Sequence, residues 1–226
     1  MFDRRYSVLL FDMDDTLTAT HNGFENAYRN LSARDPETFR PDCEEEKKDL
    51  RLLIYHYTFL EAWKKQEFYP VFCKKWGLRN PPATLAEFEV PFREEHIRNI
   101  SLFPWTVPVL EALRQKGVRM AMVTNGWSWV QRKKLEKTGI SHFFEEIAIA
   151  EEVGVSKPDP RIFLQTAERL GVAPGDCLFV GNDPTTDIAG ARASGIDSLW
   201  ITEETENTAG ATYLSPDIRC LVDEFS

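Results

Sequence analysis

The chain has 226 residues, 42% of them hydrophobic and 28% charged, a balance that excludes a disordered chain and allows one sizeable core or a core with a smaller insert. A formal net charge of -9 argues against a nucleic-acid binder, which shows a basic face, and means that an anionic substrate needs a local cation or a helix N-terminus. The scattered cysteines Cys43, Cys73, Cys177 and Cys220 form no CxxC pair, and no run suits a signal peptide or a membrane span, so a soluble protein of the reducing cytoplasm is expected.

The first expected strand covers residues 8–12, four apolar residues running into Asp12, with Asp14 and Asp15 just beyond. From about residue 22 to 100 the pattern is helical. Asp42 and Glu45 resemble a capping box, and Leu50, Leu53, Ile54, Tyr57 and Leu60 recur at helical spacing. The EEEKKD run at 44–49 reads as a solvated helix face with a Glu44–Lys48 pair. After Pro104, strands and helices alternate. Helices are expected at 107–116 and 127–137, each ended by a glycine, at 160–170 behind the N-cap Asp159, and at 184–193. Strands are expected at 118–124, 147–150, 177–181 and 198–202. Such alternation implies an α/β fold with a doubly wound parallel sheet, its right-handed crossovers placing helices on both faces. Residues 1–16 and 101–226 then form the core, and the helical interval 17–100 a smaller, all-helical cap outside the sheet.

Ligands of open α/β sheets bind beyond the carboxyl ends of the strands, so the polar residues there define the candidate site. The first strand delivers Asp12 and Asp14. VTNG delivers Thr124 with the amides of Asn125 and Gly126, SKPDP delivers Lys157, and NDPTTD delivers Asn182, Asp183 and Asp187. Hard oxygen donors without a His or Cys set favour Mg2+, which also explains how Asp12 and Asp14 share one strand end. With Mg2+, Lys157 and a helix start near Thr124, the pocket suits a phosphate dianion. One carboxylate there has the position to attack phosphorus and a second to serve as acid and base.

This set resembles the haloacid dehalogenase superfamily in its phosphatase branch. DMDDT at 12–16 matches the DxDxT motif, Thr124 the second motif, Lys157 the third and GNDPTTD at 181–187 the fourth, with successive gaps of 112 residues from Asp12 to Thr124, 33 from Thr124 to Lys157 and 25 from Lys157 to Asn182. The resemblance implies Asp12 as nucleophile, Asp14 as acid/base whose main-chain carbonyl also faces Mg2+, Thr124 and Lys157 as phosphoryl binders, and a helical C1-type cap. It implies a phosphatase of a small phosphorylated metabolite, monomeric or homodimeric, that uses neither nucleic acid nor membrane. Competing expectations are a phosphomutase like β-phosphoglucomutase, a haloacid dehalogenase, which leaves Asp14 without a role, and a non-catalytic binding protein.

The departures from the pattern are two. Asp15 stands where many relatives have Gly, and Asn182 where they have Asp. Metal ligation is therefore left open between Asn182, Asp183 and Asp187. Asp183 before Pro184 also suits a helix N-cap, and Asp187 also suits a role in orienting Lys157. Tyr57, Trp63, Tyr69 and Trp76 read more simply as cap core than as pocket. Trp127 and Trp129, just past the phosphate-binding turn, are better placed to meet a substrate, while His21, where the first motif meets the cap interval, reads more simply as structural.

Overall fold

The computed structural model describes residues 5–40, 43–56, 62–78 and 81–225. Its centre is β1 (Val8–Phe11), four apolar residues buried at every position. β1 lies between β2 (Arg119–Thr124) and β4 (Cys177–Gly181), pairing in parallel with both, and so has no edge to expose. β3 (Glu146–Ile149) flanks β2, while β5 (Asp197–Ile201) and β6 (Tyr213–Ser215) extend the other side, giving the all-parallel order β3-β2-β1-β4-β5-β6. Alternate residues face opposite sides of the sheet. Leu9, Phe11, Met120, Met122, Leu178, Val180 and Leu199 share one core cluster. On the opposite side, Phe163 stands edge-on to Phe179, their ring centroids 5.0 Å apart. A sheet covered on both faces is what continuous apolar runs predict.

The chain divides into two compact units, residues 1–19 with 101–226, and residues 20–100. The second holds α1 (Thr20–Arg34), α2 (Glu44–Arg51), α3 (Ala62–Trp76) and α4 (Leu85–Asn99), around an aromatic core that includes Phe24, Tyr69, Trp76 and Phe92. α1 and α4 approach closely at Gly23, where an added Cβ would lie 2.9 Å from the His96 ring. α4 begins at a capping box, Thr84 with Glu87. The box expected at Asp42 involves a residue outside the described ones, and α2 starts after Cys43 without a side-chain cap. The acidic run is not wholly solvated: Glu46 is fully buried, accepting from the Tyr28 hydroxyl and the Arg40 amide, and Glu44 pairs with Lys47 rather than Lys48.

In the first unit, residues 17–19 belong with the core, tied by Phe103 N to Leu17 O (3.2 Å) and Ala19 N to Ser101 O (2.8 Å). α5 (Thr106–Gln115), α6 (Ser128–Thr138), α7 (Ala150–Val153), α8 (Pro160–Leu170), α9 (Ala189–Ala193) and α10 (Cys220–Glu224) complete it. Asp159 caps α8 by accepting from Arg161 N, and Gly171 ends it in the left-handed conformation, as the sequence predicts. Three of these elements are additional to the expected ones: α7, one helical turn directly after β3; β6, three residues at the sheet edge; and the short α10. The helix expected over 184–193 opens instead as a π-helical turn, Pro184–Ile188, before α9. That wider turn carries Asp187 inward.

Candidate active site

Asp12 is the first residue beyond β1, and its amide still donates to Val180 O (2.9 Å), so the sheet fixes its backbone. Asn125, just past β2, clamps the backbone of Lys157: its Nδ2 donates to Lys157 O (3.0 Å) and its Oδ1 accepts from Lys157 N (2.8 Å). The Asn125 side chain thus ties two loops together, which leaves its main-chain amide as the group expected at the phosphate seat. Gly126 next to it has φ +121, a conformation that favours glycine.

From that anchored backbone, Lys157 Nζ reaches Asp12 Oδ1 at 2.5 Å and Asp187 Oδ1 at 2.7 Å. The Lys157 side chain is only 2% exposed and that of Asp187 1%. Asp187 Oδ2 accepts from the amides of Asn182 and Asp183, each at 3.0 Å, so this carboxylate also shapes the loop after β4. Gly181 makes room for it, since a Cβ there would collide with the Asp187 carboxylate and the Phe179 ring. One buried ammonium therefore faces two buried carboxylates. Burial pushes the Asp12 carboxyl well above the ordinary carboxylate range; Lys157 pulls it back, and Asp187 and Asp14 push it up further. Burial opposes the Lys157 charge, but Asp12 and Asp187 outweigh it and hold the ammonium above its usual value.

Asp14 faces α6. Lys134 Nζ donates to both of its carboxylate oxygens (2.7 and 2.9 Å), and Gln131 Nε2 reaches its Oδ2 at 3.0 Å. The same Gln131 nitrogen lies 2.6 Å from Thr124 Oγ1 and 2.9 Å from Asn125 O. Gln131 and Lys134 are buried and were absent from the sequence reading. A signal exists: α6 buries Val130, Gln131, Lys134 and Leu135, so the two polar residues share the face marked by the apolar pair.

Asn182 and Asp183 diverge. Asn182 Oδ1 lies 3.2 Å from Thr16 Oγ1, which is 3.3 Å from Asp12 Oδ2, so the amide oxygen and the first carboxylate flank one hydroxyl. Trp200 Nε1 holds the Asn182 carbonyl (2.9 Å). Asp183 Oδ1 instead accepts from Thr185 N (2.7 Å), Thr186 N (3.0 Å) and Thr185 Oγ1 (2.6 Å), an N-cap arrangement for the π-turn. Among the described residues no three His, Cys, Asp or Glu side chains converge as a metal cage. The donors fit Mg2+ on another basis: the set is all hard oxygen, and burial with Asp187 and Asp14 disfavours the charged form of Asp12, which a cation beside it would restore.

Tyr69 and Trp76 are core residues of the second unit, Tyr57 and the Trp63 side chain lie outside the described residues, and Trp129 is exposed with Lys133 over its ring. His21 lines an open cleft of about 390 Å³ within the second unit, with Glu25, Glu44, Lys47, Lys48 and Arg51. No helix of the described residues is long and apolar enough to cross a membrane.

Fold and site together describe a parallel, doubly wound α/β protein with a carboxylate–lysine pair at the end of its central strand. The family model for haloacid dehalogenase-like hydrolases matches residues 6–195. The chain is 32% identical to a glyceraldehyde 3-phosphate phosphatase of Methanopyrus kandleri over 85% of its own length and 82% of that protein's. It is 39% identical to a phosphoserine phosphatase of Thermus thermophilus over 50% of this chain and 45% of that one. The crystal structure of the HAD-hydrolase YfnB from Bacillus subtilis, bound to magnesium, superimposes with a TM-score of 0.80 at 23% identity, covering 98% of this chain and 99% of that one. The chain belongs to the haloacid dehalogenase-like hydrolases, in their phosphatase branch.

Proposed function

We propose that this enzyme hydrolyses a small, soluble phosphomonoester in the cytoplasm through an aspartyl-phosphate on Asp12. The observation that carries the reading is the buried Asp12–Lys157–Asp187 triad at the ends of β1 and β4. It supplies an oriented carboxylate beside a fixed cation, which is what attack on a phosphoryl group requires. Thr124, the amides of Asn125 and Gly126, and Lys157 bind the phosphoryl oxygens. Asp12 forms the bond to phosphorus as the ester P–O bond breaks, and the protonated Asp14 gives its proton to the departing oxygen. Asp14, now a carboxylate, takes a proton from water as the water oxygen bonds to phosphorus and the Asp12–phosphorus bond breaks. Asp12 then recovers its free carboxylate.

Asp12, the main-chain carbonyl of Asp14 and Asn182 are the residues that would hold Mg2+, with Asp183 engaged as a cap and Asp187 as the partner of Lys157. When bound, the ion supplies charge that lets the phosphate dianion approach the carboxylates. Relatives named for glyceraldehyde 3-phosphate and phosphoserine support a short-chain phosphate ester as substrate. Phosphate release is measured from p-nitrophenyl phosphate and a panel of three- to six-carbon phosphate esters, with and without Mg2+. Release that depends on Mg2+ and disappears in Asp12→Asn is expected; no release from any ester with Mg2+ present overturns the reading.

A further inference from the structure

Lys134 is among the largest fully buried side chains of the protein, and it sits on a helix whose neighbouring positions 132 and 133 are exposed. Burying an ammonium is costly unless a carboxylate meets it with good geometry. Here Asp14 does, offering both oxygens at 2.7 and 2.9 Å. One helical turn earlier, Gln131 brings its amide to the same carboxylate and to Thr124 Oγ1. An amide nitrogen donates two protons, and three acceptors lie within reach of this one. When the Gln131 amide donates to Thr124 Oγ1, the hydroxyl's own proton, directed here at Asn125 O across a long 3.4 Å, is left for a better acceptor, such as a phosphoryl oxygen.

We infer that Lys134 and Gln131 form a cradle that positions Asp14 for its proton transfers, with Gln131 linking that carboxylate to the phosphate-binding hydroxyl of Thr124. They are positioning residues, acting through Asp14 and Thr124. The inference rests on the phosphatase reading above. In that reading Asp14 must stand at one place twice, first to hand its proton to the leaving oxygen and then to take one from water. A carboxylate pinned at both oxygens by a buried lysine returns to that place after each transfer, whereas an untethered one samples several rotamers.

The leaving group separates this role from a purely structural one. A nitrophenolate departs without a proton, while an alkoxide needs one. The measurement is kcat/KM for p-nitrophenyl phosphate and for the best alkyl phosphate of the panel, expressed as their ratio. Lys134→Met is expected to lower the alkyl value at least about tenfold more than the aryl value, a fraction of the roughly hundredfold to ten-thousandfold that a positioned acid contributes. Lys134→Arg, which keeps the charge and can offer Asp14 a two-pronged contact, is expected to bring the ratio closer to the wild type than Lys134→Met does. In an Asp14→Asn background the Lys134→Met change is expected to leave the ratio unmoved, since no acid remains to position. If Lys134→Met does not fold, Gln131→Met carries the same test, with a selective fall in the alkyl value expected. A folded variant that loses both activities equally, or gains on the alkyl ester, overturns the cradle. A wild type that cleaves neither ester overturns the phosphatase reading instead, so the two failures are distinct.

Discussion

Asp187→Asn changes one buried atom and tests how Lys157 is held. The Lys157–Asp187 separation of 2.7 Å corresponds to about 6 kcal/mol of gross attraction at an effective dielectric of 20. That is an upper figure, because Lys157 keeps its bond to Asp12 and the variant is spared the desolvation of one carboxylate. The amide oxygen of the new Asn takes over the Asn182 and Asp183 amides at neutral rather than charged strength, and its NH2 then faces the Lys157 ammonium, donor against donor. Removal of one partner from a buried ion pair costs about 3–5 kcal/mol, and the surviving Asp12 contact brings the expectation to roughly 2–4 kcal/mol. For a chain of this size that is a fall in Tm of about 4–16 °C. Denaturant unfolding with unchanged m-value gives the free energy, and phosphatase assays on the same samples give the rate. A variant within about 0.5 kcal/mol of wild type would refute the reasoning, because that is the range of an ordinary surface substitution. Asp187 would then be a spectator beside a lysine held by Asp12 alone.

Asp12→Asn removes turnover while leaving the fold intact, since the amide is isosteric and Lys157 retains Asp187; a folded variant with substantial phosphate release sinks the nucleophile. Chelation by EDTA abolishes activity and added Mg2+ restores it, and Asn182→Asp lowers the Mg2+ concentration for half-maximal activity, because the new charge interacts with the ion by roughly a few kcal/mol. Asp183→Ala, at an N-cap with three donors on one oxygen, costs about 0.5–2 kcal/mol of stability and leaves that Mg2+ concentration unchanged; an increased requirement would hand the metal to Asp183. In the second unit, burial pushes the Glu95 carboxyl up, but hydrogen bonds from Asn30 and Asn99 and the charges of Arg34 and Arg98 outweigh it and hold it below the ordinary value. A carboxyl lowered on folding contributes stability above its unfolded pKa of about 4.3 and loses it as pH falls through the folded value, so Glu95→Gln destabilises at pH 7 and the difference shrinks at lower pH. A pH-independent difference in urea midpoints contradicts this.

What the sequence made legible and what it hid divide along one physical line. Asp12, Thr124 and Asn182 each stand where an apolar run stops at a strand end, and both the run and its polar terminus lie within a few adjacent residues. Parallel sheets carry those ends to one edge, so local signals suffice to gather the site. The choice between Asn182 and Asp183 was not legible, because a π-turn decides which side chain folds back onto backbone amides, and wide turns have no composition of their own. Asp15 was legible only as a departure; its φ of 57° places it in the left-handed region, where Gly is the unstrained residue and Asp a tolerated one, so the backbone there suits the Gly that the resemblance implies. Lys134 was hidden most deeply. It sits in the run QRKK, where three cations look alike, and its burial depends on Asp14, 120 residues away. Helical spacing alone marks it, since it lies four residues after the buried Val130 and next to the buried Leu135. A charged residue on an apolar stripe is thus the readable half of a pair, and the carboxylate needed to hold it there is the half that a sequence cannot locate until the fold closes.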